Sequence, residues 1–337
     1  MILSRAPLRI SLGGGGTDLS SYYSKFGGFL IAAAINRYCT ILANRRFYDN
    51  IRLSYSETEI IDNVDNIKHP IFRECLKVIG INKNIELHST GEMPANSGLG
   101  SSSAFTVALL NALHTYEGEF VSKKELAEEA CHVEINLLGE PIGKQDQYMA
   151  AFGGLTCLTF EKNGNVHVAP LNVTHETLDT LETNLLFFFT GKERSASAIL
   201  QEQDMKIKKS DFEIEQNLHQ IKSIGLDTKK YLETGKVDIL GEMLHRHWES
   251  KKKLSSKMTD PFIDECYEIA RKNGAMGGKL IGAGGGGFFM FYCADGKKTA
   301  LSNALIKMGL RRERFGIDWD GARIMLNTKN SLFKPGN

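Results

Sequence analysis

The stretch Pro94-Ala95-Asn96-Ser97-Gly98-Leu99-Gly100-Ser101-Ser102-Ser103-Ala104 carries the most pointed chemistry of the chain. Its glycines let a backbone approach an anion closely. Its three serines stand where a helix begins, offering hydroxyls to a phosphate or a Mg²⁺ ion. Phe105, Leu109, Ala112 and Leu113 follow at helical spacing over 101–115. Free N–H groups and a helix dipole therefore meet at the loop, which favours an anion there. The same letters also suit a loop that only caps a helix. Two more glycine clusters lie far away in sequence, Gly13–Gly16 and Gly282 with Gly284–Gly287. Glycine totals 33 of 337 residues, against a usual share of about 7%, and the three clusters call for one explanation.

Familiar phosphate loops can be tested. A P-loop needs G-x-x-x-x-G-K-[ST]. Gly143-Lys144 has Leu138 upstream and Gln145 after the lysine, and Gly278-Lys279 fails at Asn273 and Leu280. Gly282, Gly284 and Gly287 match the letters of a dinucleotide fingerprint. They run into the strand-like Phe288–Tyr292 rather than a helix, so the context is wrong. His245 and His247 form an H-x-H, but two residues apart on a helix they diverge. Six unpatterned cysteines, with no C-x-x-C, predict reduced, buried thiols in a cytoplasmic protein.

The elements that must position these residues can be outlined. Length suggests roughly two domains, with a soft boundary near residue 180. Leu8, Ile10 and Leu12 alternate as a strand. Phe29–Ile35 and Tyr38–Ala43 read as two strands separated near Asn36-Arg37. Ile85–Ser89 reads as another, and Leu155–Phe160 with Val166–Pro170 as a hairpin around Asn163-Gly164-Asn165. Ser122 and Glu125 form a capping box. Residues 197–272 are helix-rich. Leu185–Thr190, Gly287–Cys293 and Ala322–Asn327 read as strands and Lys297–Met308 as a helix. The net charge of +1 argues against a general nucleic-acid partner. The longest apolar runs are about seven residues, well short of the ~20 of a membrane span, and no signal peptide or membrane partner is expected.

Taken together, the motifs resemble the GHMP kinases. Pro7-Leu8-Arg9-Ile10 with Gly13–Asp18, then Pro94–Ala104, then Lys279–Gly287 occur in the family's order. The resemblance implies an α+β, two-domain fold, with an N-terminal ribosomal-protein-S5-domain-2-like half (1–180) that binds ATP and a C-terminal ferredoxin-like half (181–337). It implies that Pro94, Asn96, Ser97, Gly98, Leu99, Gly100, Ser101, Ser102 and Ser103 hold ATP, and that Ser102 and Glu134 ligate Mg²⁺. Independently, Glu134 has Ala130, Cys131, Leu137 and Leu138 at helical neighbour positions. A carboxylate in apolar surroundings is costly unless a cation or donor meets it. Asp146 in Gly143-Lys144-Gln145-Asp146-Gln147-Tyr148 is similar to the family's catalytic Asp, and Arg9 to its motif 1 cation. One residue more separates Glu134 from Asp146 than in some relatives.

The resemblance implies a substrate as well. Ser4–Asp18, the run from Gly27-Gly28 to Tyr38, and Thr190-Gly191-Lys192-Glu193-Arg194 look like the branch that phosphorylates D-glycero-D-manno-heptose 7-phosphate at C1. The product feeds nucleotide-activated heptose for surface polysaccharide. Gly15, Gly16, Thr17 and Asp18, with Gly284, Gly285 and Gly286, then contact the sugar phosphate, and Lys192 and Arg194 are candidates for its phosphate. The alternatives are a fucokinase or galactokinase-like enzyme, or a non-catalytic sensor. Gly15-Gly16-Thr17-Asp18 departs from the Glu-His-Thr-Asp usual in galactokinases. Partners are otherwise limited to ATP and a second copy, the chain being a monomer or homodimer.

Overall fold

The computed structural model describes residues 1–193 and 196–328. Among these, twelve strands form two sheets. The larger contains β1 (Ile2–Gly13), β2 (Gly28–Arg45), β3 (Ile51–Ser54), β4 (Thr58–Ile61), β5 (Ile85–Gly91), β6 (Leu155–Phe160), β7 (Val166–Pro170) and β12 (Arg323–Asn327). Its order is β12-β1-β2-β5-β3-β4, with β6 and then β7 continuing from the other end of the long β2. The smaller sheet is β11 (Arg311–Glu313), β8 (Leu185–Phe189), β10 (Phe288–Tyr292) and β9 (Gly277–Leu280).

Residues 28–45 form one strand, not the two expected. Pro7 faces Tyr38 while Leu8 faces Ile35, so Asn36 and Arg37 bulge out of the ladder. The bulge is used: Asn36 N donates to the Gly316 carbonyl at 2.9 Å, and Gly316 N donates to Asn36 Oδ1 at 2.9 Å. A polar pair amid apolar residues marks a bulge here rather than a chain break. The last strand lies in the second half by sequence, yet it pairs with β1 on the first sheet.

The helices of the first half are α1 (Ser20–Phe26), α2 (Pro70–Ile79), α3 (Ser101–Glu117), α4 (Lys123–Cys131), α5 (Gln145–Phe152) and α6 (His175–Asn184). Those of the second are α7 (Ala196–Lys208), α8 (Phe212–Glu233), α9 (Ile239–Lys252), α10 (Pro261–Lys272) and α11 (Lys298–Lys307). The capping box at α4 forms in both directions, Glu125 N to Ser122 Oγ and Ser122 N to Glu125 Oε2. The unbroken apolar run of β10 is explained by burial on both faces. Phe289 and Phe291 pack with Trp248 and Phe188, while Phe288, Met290 and Tyr292 join the larger core. All six cysteines are free and buried. No helix among the described residues is long and apolar enough to cross a membrane. The second half of β1 and the starts or ends of α3, α5, α9 and β9 converge on one cleft open to solvent.

Candidate active site

The glycine loop builds an anion cradle from backbone. Asn96, Gly98 and Gly100 take left-handed φ values of 58°, 81° and 78°. Alternating such residues with ordinary ones turns successive N–H groups toward one side. Gly100 then starts α3 with no side-chain cap, leaving first-turn donors free where Ser101, Ser102 and Ser103 line the cleft. Ser97 Oγ and Ser103 Oγ are buried without a hydrogen-bond partner among the described residues. The loop closes against the third glycine cluster. A Cβ on Gly98 would stand 2.6 Å from the Ile281 carbonyl oxygen, and one on Gly282 would stand 2.6 Å from Gly98 Cα. The two clusters are glycine because two backbones touch there. Gly284, Gly285 and Gly286 pack instead on Met258 and the Lys192 backbone, with Gly285 N donating to Met258 O at 2.9 Å.

Arg9 locks this loop to the candidate catalytic carboxylate. Its Nε and Nη2 donate to Asp146 Oδ1 and Oδ2 at 2.7 and 2.8 Å, and Nη1 donates to the Gly98 carbonyl at 2.6 Å. The Arg9 N–H donates to the Leu99 carbonyl at 2.9 Å. A two-pronged pair of this kind fixes geometry as well as charge. Arg9 is 4% exposed, whereas Asp146 faces the cleft. Lys144, two residues earlier, turns away to Glu128 at 3.0 Å.

Glu134 is 1% exposed, and Ala130 and Cys131 on its N-terminal side are buried as expected, but Leu137 on its C-terminal side does not cover it. Leu137 is 44% exposed. Residues His132–Leu137 form a π-turn, in which Leu138 N bonds to Val133 O, so the i+3 and i+4 spacing of an α-helix does not apply. A one-turn π-segment accommodates an extra residue within a helix, and one extra residue lies in this interval. The remaining burial comes from other elements: Gln147 Nε2 of α5 donates to Glu134 Oε2 at 2.6 Å, and Ser103 of α3 and Cys75 of α2 lie nearby. Burial pushes the Glu134 carboxyl up to about 7, against the pull of the Ser103, Gln147 and Ser102 polar groups.

The Asp18 side of the cleft is lined by unsatisfied polar atoms. Asp18 is 2% exposed, with Gly16 N donating to Oδ1 at 3.0 Å and Gln145 N to Oδ2 at 3.2 Å. Burial, with the nearby Asp146 charge, raises its carboxyl above the ordinary range. Around it, Ser11 Oγ, Gln145 Oε1 and Gln203 Nε2 are buried and lack partners among the described residues, and all three residues line the cleft with Gly15 and Gly16. Thr17 is not in this lining. Its hydroxyl is held between the Gly14 and Phe29 carbonyls at 2.8 and 3.0 Å and pins the loop to β2.

The remaining candidates divide. Lys192 is not among the cleft residues; its Nζ pairs with Asp260 at 2.6 Å and sits over the Phe262 ring. Arg194 lies outside the described residues. The H-x-H side chains diverge, His245 to Tyr267 and His247 to Lys279. Sequence reading gave no role to Lys251 and His247, which line the cleft with Lys279. A signal existed: Leu240, Leu244, His247 and Lys251 fall on one helical face, so the first lysine of Lys251-Lys252-Lys253 continues an apolar stripe.

A backbone anion cradle at a helix start thus lies beside an arginine-clamped aspartate and a polar pocket in one cleft. The chain belongs to the GHMP kinase family. The model of the GHMP kinases N terminal domain matches residues 66–154, and that of the GHMP kinases C terminal domain matches residues 228–309. Kinases of this family use ATP as phosphate donor. The chain is 32% identical over 318 residues to the D-glycero-alpha-D-manno-heptose 7-phosphate kinase of Campylobacter jejuni, covering 91% of this chain and 93% of that protein. It is 25% identical to the galactokinase of Thermotoga maritima, covering 93% and 95%. A solved D-glycero-D-manno-heptose 1-phosphate kinase from Bacteroides thetaiotaomicron superposes with a TM-score of 0.80 at 27% identity, covering 97% of this chain and 99% of that one.

Proposed function

We propose that this kinase transfers the γ-phosphoryl group of ATP to the anomeric C1 hydroxyl of a phosphorylated heptose, D-glycero-D-manno-heptose 7-phosphate, giving the 1,7-bisphosphate. The observation that carries the acceptor class is the pocket around Asp18. One buried carboxylate and three orphaned polar atoms, all turned to one cleft, suit a ligand dense in hydroxyls, because buried polar groups demand partners. The Campylobacter and Bacteroides relatives, both named for phosphorylated heptose chemistry, support the finer choice.

Phosphoryl transfer needs positioning and charge stabilisation more than covalent chemistry from the protein. The N–H groups of Gly98–Ser102 hold the ATP phosphates. Asp146 accepts the proton of the attacking hydroxyl, or orients it, through the lone pairs that Arg9 leaves free. Arg9 keeps the carboxylate aimed and adds positive charge beside the transferring group. Mg²⁺ fits the residues present: Glu134 is a buried carboxylate in need of a cation, and Ser102 presents an exposed hydroxyl at the cradle. That ion, with one carboxylate and phosphate oxygens as ligands, would neutralise charge on the phosphates. We further propose that residues 1–180 carry the nucleotide and that the protein works in the cytoplasm, as monomer or homodimer.

ADP release measured across heptose 7-phosphate, free heptose, galactose and fucose tests the reading. Heptose 7-phosphate should give the highest kcat/KM by at least about tenfold. Equal or better turnover of galactose or fucose would overturn it.

A further inference from the structure

The charged groups of the cleft so far described, Arg9, Asp146 and Asp18, each meet a counter-charge or backbone N–H donors. Those of one wall do not. Lys251 is 8% exposed and Lys279 is 2% exposed, and both line the cleft. Neither has a carboxylate partner among the described residues: Lys251 Nζ donates to the carbonyls of Leu280, at 3.1 Å, and Gly282, and Lys279 Nζ meets His247 Nδ1 at 3.2 Å. His247 is itself buried. Burial holds its imidazole well below its ordinary range, so it offers Nδ1 as an acceptor and no compensating charge.

Two ammonium groups removed from water, beside each other and near Arg9, are strongly unfavourable by themselves. Burial and the Arg9 charge pull Lys251 down to about 7, and burial with Lys251 pulls Lys279 well below the usual lysine range. The site relaxes when an anion enters. Arg9 is already engaged by Asp146. The phosphates of ATP already have the backbone cradle of Gly98–Ser102 and the start of α3. The half-buried alternative, Lys192, is neutralised by Asp260.

We propose that Lys251, seconded by Lys279, receives the phosphate that the acceptor sugar already carries, and so sets the preference for a sugar phosphate over a free sugar. This rests on the sugar-phosphate reading above. Gly282 sits between the two functions: its carbonyl accepts from Lys251, while its Cα packs on Gly98 of the nucleotide loop. An acceptor phosphate held by Lys251 lies in the same cleft as Asp146.

The test compares Lys251→Met and Lys279→Met with the wild type. The readout is the ratio of kcat/KM for heptose 7-phosphate to that for free heptose. The wild-type ratio should be large, and Lys251→Met should lower it by about 30-fold or more, with KM carrying most of the change. Lys279→Met should lower it less. The melting temperature without ligand should hold or rise in both variants, because an unpaired buried charge is removed. Inorganic phosphate should raise the melting temperature of the wild type and not that of Lys251→Met. If the wild type fails to prefer the phosphorylated sugar, the sugar-phosphate reading falls and the lysine assignment with it. If the wild type prefers it and both variants keep the ratio, only the lysine assignment falls. If both acceptors lose equally in the variants, the lysines act on ATP or on the transferring group, and the assignment is again overturned.

Discussion

The two walls of the cleft handle charge in opposite ways. On the wall built from β1, α3 and α5, charge is matched inside the protein: Arg9 meets Asp146 through two hydrogen bonds. On the wall built from α9 and β9, Lys251 and Lys279 face carbonyls and a neutral imidazole. A matched wall is rigid before any ligand arrives, which suits groups that must aim at a reacting atom. An unmatched wall costs stability until an anion fills it, which suits recognition, since a neutral ligand leaves that cost in place.

The largest expected effect breaks the matched wall. Asp146→Asn keeps the shape but removes the proton acceptor and the charge opposite Arg9. kcat should fall about 10²–10⁴-fold, with ATP affinity near wild type and a lowered melting temperature, because the buried Arg9 loses its counter-charge. A fall below about tenfold would leave a hydroxyl polarised by Arg9 as the better account.

Glu134, buried behind that wall, sharpens the same comparison, since among the described residues an amide and no cation meets it. Its carboxyl is raised to about 7 in the folded chain from an unfolded value near 4.5. The folded state therefore holds the proton more tightly. Stability is highest below pH ~4.5 and declines as pH rises toward 7, by on the order of 3 kcal/mol in all without metal. Thermal melts of wild type minus Glu134→Gln, run from pH 5 to 8 in a chelator, should show this decline only in the wild type. Mg²⁺ should offset it, with apparent Mg²⁺ affinity rising with pH up to about 7. A flat difference would remove Glu134 from the metal site. In the presence of Mg²⁺, kcat of Glu134→Gln should be lower by about 10²-fold.

Gly282→Ala tests whether the walls are mechanically joined. The Gly98 contact and the left-handed backbone, φ 73°, both resist a Cβ, so the melt should show a loss of about 1–3 kcal/mol. KM for ATP should rise several-fold. Wild-type values for both would show that the loop and the motif are independent. The smallest effect belongs to Lys192→Ala. Because that ammonium is paired with Asp260, KM for the sugar phosphate should change less than about threefold. A tenfold rise would move the acceptor's phosphate to Lys192 and away from Lys251.

The same contrast explains what the sequence disclosed. The matched wall was legible because its parts are local. Glycines at 98 and 100 followed by serines announce a backbone cradle, and Pro7–Ile10 with Gly143–Tyr148 carry side chains whose roles the family resemblance supplied. The helix after the loop, the hairpin Leu155–Phe160 with Val166–Pro170 and the apolar strand Phe288–Tyr292 followed from period and turn chemistry. Glu134 was found for a partly right local reason: Ala130 and Cys131 are buried before it, but a π-turn replaces the spacing to Leu137 and the remaining burial is tertiary. The unmatched wall was hidden because Lys251-Lys252-Lys253 reads as a solvated face, and only the packing of α9 on β9 shows that its first member points inward. Lys279 hid inside a glycine motif as a strand residue. The bulge at Asn36-Arg37 was mistaken for a break because two polar residues interrupt an apolar run whichever occurs.

The account depends most on where the new phosphate goes. Wild-type enzyme should be given ATP, Mg²⁺ and heptose 7-phosphate, and the product followed by ³¹P NMR. The account predicts one new sugar-phosphate resonance, coupled to the anomeric proton, growing in step with ADP while the 7-phosphate signal persists. ADP formed with the new phosphorus coupled to any other ring proton, or with no second phosphate on the sugar, would contradict it.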